Sequence, residues 1–304
     1  MSSSVKEHQD TATVAEAASL RAADTFVKST TAPPWALWRR QIGAIISHEL
    51  RKNLFSRRSF LMYLLAALPL LLLLPLAIFP PDAREWQRFD ELGIIYAALY
   101  GALILRTVVF FGCAWIFMNL FRGEIIDRSL HYYFLAPVRR EVLVVAKYLS
   151  GLLTAFALFG GTTLISFALL YLPRFYTETV RYFFLGRGAG VVFTYLGITL
   201  LACVGYGAVF MLVGLFFRNP IVPALALYGW EWLNFLLPPL LKKLSVIHYL
   251  QSLAPVPMYE GPFAILAQPT PAWISVPSLL LFTVAVLLLA GWYARRMEVS
   301  YVGD

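Results

Sequence analysis

Charge is scarce in this chain, and so are cysteine and histidine. Only 14% of its 304 residues are Asp, Glu, Lys or Arg, against about 25% in an ordinary soluble domain. With 60% hydrophobic residues and a mean hydropathy of +0.70, a chain of this length carries more apolar surface than a water-soluble fold buries. The two cysteines, Cys113 and Cys203, both fall inside apolar runs, which argues against a disulfide framework and reads as small packing residues. The histidines, His8, His48, His131 and His248, are scattered. No H-E-x-x-H, paired-Asp or Ser-His pattern accompanies them, so no catalytic, cofactor-binding or metal-ligating set is assembled. Also missing is any G-x-x-x-x-G-K-[ST] loop. The run "GRGAG" at 186–190 lacks the lysine and hydroxyl that cradle phosphates, and reads as a turn.

What the chain does have is long apolar runs. Crossing a hydrocarbon core about 30 Å thick takes about 20 apolar residues at about 1.5 Å of helical rise each. Such runs occur at about 59–79, 92–121, 142–172, 189–217, 221–241 and 275–294. They are continuous rather than alternating, which favours helices over a barrel. The expectation is an all-α membrane protein with six transmembrane helices. Pro69 and Pro75 are expected to kink the first span, and the second is long enough to tilt or overreach.

Around these spans the composition shifts. Residues 1–33 are polar and alanine-rich, expected as a disordered cytoplasmic tail with no cleavable leader. From 34 to 58, Trp35, Trp38, Ile42, Ile45 and Ile46 recur at helical spacing opposite Arg40, Ser47, His48 and Arg51. That pattern predicts an amphipathic helix lying at the membrane interface, ahead of the six-helix transmembrane region that fills the rest of 34–304. Residues 242–274 are too interrupted by proline for one crossing and are expected as a broken external segment.

The net charge of +8 does not point to nucleic acid, because the cations gather beside apolar runs rather than on one soluble face. Their distribution sets an expected orientation. Fourteen Lys or Arg fall in 34–58, 122–147, the turn at 218 and the tail after 294, against seven in the alternate loops. The bias of cations toward the inside places both termini and the connection after span two in the cytoplasm, in the plasma (inner) membrane.

That connection reads "FRGEIIDRSLHYYFLAPVRREVLVVAKY". Residues 128–135 have room for barely two helical turns, Pro137 blocks continuation, and Arg139, Arg140 and Glu141 open the third span. Lys147 is placed to snorkel back to the interface. A short surface helix held between two spans is a lever that moves both when pushed.

Glu124, Ser129-Leu130 and "LAPVRREVLVVAKY" together resemble the signature of ABC-2 type transporter permeases, the transmembrane subunits of type V exporters. Asp127-Arg128 departs from the small residue that many relatives carry there. The resemblance implies a non-catalytic permease of an ATP-binding cassette transporter, paired with a second permease chain as homodimer or heterodimer. ATP and Mg are then held by a separate ATPase subunit. It further implies that 122–141 is the coupling segment, with Glu124, Arg128, Ser129, Leu130, Tyr133, Pro137, Arg139, Arg140 and Lys147 as the ATPase-coupling interface.

Two ionisable residues lie deep in expected spans: Arg106 in "ALILRTVVF" and Glu231 in "LYGWEWLNF". A charge in hydrocarbon costs at least about 2.5–3.5 kcal/mol, so each should face a partner or a wet cavity. They are expected to line a translocation pathway or to clasp each other across its wall. Two other classes remain to be weighed. A membrane-embedded enzyme would need clustered acids or a nucleophile at depth, and an ion-coupled secondary transporter would favour matched inverted repeats, of which the sequence carries no convincing sign.

Overall fold

A computed structural model of the chain describes residues 34–56, 59–79, 89–126, 140–171, 176–217, 219–256 and 270–296. Contacts divide the chain after Ala44. The first unit is described by residues 34–44, the opening half of helix α1 (Pro34–Phe55), where the Arg39 guanidinium lies 5.8 Å from the centre of the Trp35 ring. Everything below concerns the second unit, Ile45–Asp304. The expected tail at 1–33 lies outside the described residues.

Every regular element among the described residues is helical. Helix α2 (Ser59–Ile78) runs through both Pro69 and Pro75. Next come α3 (Phe89–Leu99), a ten-residue π-helical stretch (Tyr100–Val109) and α4 (Phe110–Ile126), consecutive in the chain. Helix α5 (Arg140–Tyr171) and the short α6 (Tyr176–Leu185) precede α7 (Gly188–Phe216). Helix α8 (Ile221–Trp232) leads through a 3-10 turn (Leu233–Leu236) to α9 (Pro239–Lys242) and α10 (Val246–Ser252). The last helix is α11 (Ala272–Arg296).

Among the described residues, five helical stretches are long and apolar enough to cross a membrane: Ser59–Ile78, Glu91–Gly123, Val142–Tyr171, Gly188–Phe216 and Ala272–Ala294. The expected span at 221–241 is not one helix. Helix α8 has 12 residues, about 18 Å of rise against the roughly 30 Å of a hydrocarbon core. The reason is local. Leu237 and Pro238 each precede a proline and are extended, at ψ 147° and ψ 152°, because a following ring disfavours helical backbone. Pro239 then opens α9 at the first turn, where its missing N–H is harmless.

Helix α7 packs against α4, α5 and α11 at the centre of the core. Close approach depends on glycine at particular positions. A Cβ on Gly214 would lie 2.8 Å from the backbone of Met118 in α4, and one on Gly207 2.5 Å from the Phe117 ring. Backbone at Met118 has no room to give way. Gly214→Ala is therefore expected to lower stability by about 1–3 kcal/mol, seen as a lower melting temperature in detergent. Gly197→Ala meets nothing within 4 Å and should leave the melting temperature unchanged.

Several polar groups within this core pair with one another or with backbone carbonyls. Tyr96 donates to the Thr163 carbonyl at 3.0 Å, Tyr100 to the Tyr195 carbonyl at 3.1 Å, and the Thr163 and Thr199 hydroxyls lie 3.2 Å apart. By contrast, Leu64, Leu71 and Leu72 on α2 and Leu281 and Leu288 on α11 are exposed. Leucine-rich outer faces around an internally paired core are what hydrocarbon as solvent selects.

Candidate functional site

The end of α1 is stitched to the start of α2. Ser59 donates its hydroxyl to the Asn53 carbonyl, Ser56 and Ser59 hydroxyls lie 3.0 Å apart, and Tyr63 donates to the Leu54 carbonyl at 2.8 Å. These bonds satisfy carbonyls that a helix end leaves without partners. They also fix the angle at which α1 meets α2.

One turn further back, a charged node joins three helices. The Lys147 ammonium of α5 donates to Glu49 Oε1 of α1 at 2.8 Å and to the Leu120 carbonyl of α4 at 2.9 Å. It also lies 5.3 Å from the centre of the Phe121 ring. The two charged side chains are 0% and 2% exposed. Lys147 thus does not extend into solvent as a snorkelling residue would; it is buried, and its charge is spent inside the chain.

Glu49 went unassigned in the sequence, yet a signal was present. It stands three, four and seven residues beyond Ile46, Ile45 and Ile42, on the same helical stripe. An acid on an otherwise apolar stripe calls for a buried cation. The matching lysine lay 98 residues further along the chain.

The rest of the expected coupling interface is described only at its edges. Glu124 falls in the last turn of α4 and Arg140 opens α5. Arg128, Ser129, Leu130, Tyr133, Pro137 and Arg139 lie outside the described residues.

The second constellation surrounds Glu231, which is 8% exposed. Its carboxylate accepts from Ser245 Oγ at 2.7 Å, from the Val246 and Ile247 amides at 3.1 and 3.0 Å, and from the Tyr206 hydroxyl at 3.3 Å. It therefore binds the amino end of α10 from the end of α8, satisfying amides that the helix itself cannot. Arg106 is half-buried in the π-helical stretch. The donors Ser245, Val246 and Ile247 had no sequence signal, because only the break at Pro238-Pro239 brings α10 back to α8. Part of the expected external segment, 257–269, lies outside the described residues.

Cys113 and Cys203 are both buried and free in the α4–α7 core. Among the described residues, no three His, Cys, Asp or Glu side chains come together.

Long apolar helices with leucine-rich exposed faces, and helix as every regular element among the described residues, mark an all-α membrane protein. No family model, curated protein or solved structure matches the chain.

Proposed function

We propose that the chain is the transmembrane permease subunit of an ATP-binding cassette transporter of the ABC-2 type, acting as an exporter. It carries out no chemistry of its own. A separate ATPase holds ATP and Mg and docks on the coupling segment at 122–141, and a second permease chain completes the pathway. Both termini lie on the cytoplasmic side of the plasma membrane.

The observation that carries this reading is the node at Lys147. The coupling segment runs from the end of α4 to the start of α5, and the node ties those two helices to each other and to α1. A push on the connection, or on α1, reaches both spans through a buried ion pair rather than through slack loops. Such stiffness suits force delivered from outside the bilayer. It has no evident use in an enzyme whose reacting groups sit at one depth.

Co-purification tests the reading. The tagged chain, co-expressed with an ATP-binding cassette ATPase, should recover that ATPase in stoichiometric amount. Arg139→Glu with Arg140→Glu should reduce recovery at least tenfold while the chain stays monodisperse in detergent. Full-rate transport in proteoliposomes holding this chain alone, driven by an ion gradient, would point instead to a secondary transporter.

A further inference from the structure

Two cavities open next to each other where α1 meets α2 and α4. The first, about 290 Å³, is polar, with Glu49, Lys52, Asn53, Ser56 and Asn119 in its wall. The second, about 450 Å³, is an apolar groove between α2, α4 and α8, lined by residues such as Leu61, Leu64, Leu68, Phe111 and Leu225. Met62 and Trp115 line both. The polar cleft therefore continues into the groove.

The donors in the cleft are unequally committed. Asn119 Nδ2 donates to the Trp115 carbonyl at 2.7 Å, and the Ser59 hydroxyl serves the Asn53 carbonyl. The Asn53 side-chain amide nitrogen is buried with no hydrogen-bond partner, an arrangement that proteins avoid unless something else accepts the bond. Glu49 faces the cleft too, but its charge is offset by Lys147 at 2.8 Å. Exposed Lys52 thus leaves the lining with an excess of positive charge. A spare amide donor beside a cation suits an oxyanion.

The depth of the pair narrows the choice of anion. Ser59 and Gly123 are the ends of two spanning stretches, so the cleft sits at the edge of the hydrocarbon. Trp115 is eight residues inside Gly123 and Leu68 nine inside Ser59, about 12 and 14 Å of helical rise. Half of a hydrocarbon core is about 15 Å. The two cavities together cover one leaflet, polar at the rim and apolar below.

We propose that they form a binding site for one glycerophospholipid. Its phosphodiester is held by the Lys52 ammonium and the Asn53 amide, and one acyl chain lies along the groove past Met62 and Trp115. A free phosphate would leave the groove unused, and a neutral hydrocarbon would leave the Asn53 donor unmet. The site is independent of ATP-driven transport and would persist in a chain with another function.

Native mass spectrometry of the full chain, stripped in detergent and titrated with palmitoyl-oleoyl phosphatidylglycerol, tests it. One retained lipid per chain is expected. Lys52→Glu with Asn53→Leu should weaken retention at least tenfold, and so should filling the groove with Leu64→Trp and Leu225→Trp. Inorganic phosphate in the same titration should neither bind at comparable concentration nor displace the lipid. Retention unchanged in both sets of variants overturns the site. So does phosphate binding that ignores the groove variants, which would mark a free-anion site, or a groove filled by a second copy of the chain in cross-linking. Lys52 is exposed and its replacement spares the fold, so Lys52→Glu alone decides the matter if the paired variant fails to fold.

Discussion

Lys147→Met is expected to destabilise the protein by about 3–5 kcal/mol, because it leaves the Glu49 carboxylate buried with its cation gone. Methionine fills nearly the same volume, so packing is not the cause. Glu49→Gln should cost less, since the ammonium keeps the Leu120 carbonyl at 2.9 Å and the Phe121 ring. The informative variant is the pair Glu49→Leu with Lys147→Met. Replacing a buried ion pair by apolar groups of similar size is often neutral or stabilising, so the double variant should melt within a few degrees of the wild type. Thermal melts of the wild type, Glu49→Leu, Lys147→Met and the double variant in one detergent give the coupling energy directly. Additive losses would show that the two charges do not interact.

The same double variant separates stability from force transmission. If α1 acts as a lever on α4 and α5, an apolar contact that restores the melting temperature should still transmit motion less faithfully than two charges with fixed hydrogen-bond geometry. On the proposed function, the ATPase would then bind normally while ATP turnover no longer drives export. A variant that is both stable and fully coupled would make the node a packing device only.

How far the sequence reveals this structure differs from element to element, for physical reasons. Helices α2, α5, α7 and α11 are legible within a few residues, because unbroken apolar runs of that length have few other ways to satisfy their backbone in a bilayer. The run at 221–241 is equally apolar but holds Pro238-Pro239, whose effect is on backbone angles rather than hydropathy. Summing hydrophobicity therefore reads one span where the chain makes a short helix, a turn and two further pieces. The π-helical stretch at Tyr100–Val109 carries no local signal. Which carbonyl each amide chooses there depends on the neighbours, and such stretches cluster at functional sites.

The candidate sites divide in the same way. Arg106 and Glu231 stand out because charge is rare within apolar runs, and Glu231 accepts from the Tyr206 hydroxyl. What surrounds the Glu231 carboxylate is illegible, since it depends on a chain reversal some fifteen residues later. Glu49 is half-legible: its place on an apolar stripe betrays burial but not the partner. The coupling residues between Arg128 and Arg139 are readable only through the family resemblance.

Glu231→Leu should produce the other large effect. It removes the acceptor from the Ser245 hydroxyl and from the Val246 and Ile247 amides at once, and each buried donor left unmet costs about 1–3 kcal/mol. Glu231→Gln keeps one carbonyl oxygen for the amides, and Ser245 can turn to accept from the new amide group, so its loss should be about 1–2 kcal/mol. Tyr206→Phe removes only the longest bond, 3.3 Å, and should cost less still. Hydrogen exchange reports the effect locally: the Val246 and Ile247 amides should be protected in the wild type and in Glu231→Gln, and exchange rapidly in Glu231→Leu. Protection that survives the leucine would mean that α10 holds its own amino end and the carboxylate is incidental. Arg106 then distinguishes a clasp from a pathway. Should Arg106→Gln leave exchange at 246–247 unchanged yet abolish transport, the arginine serves the moving substrate. Faster exchange in step with lost transport would make it part of the fixed wall.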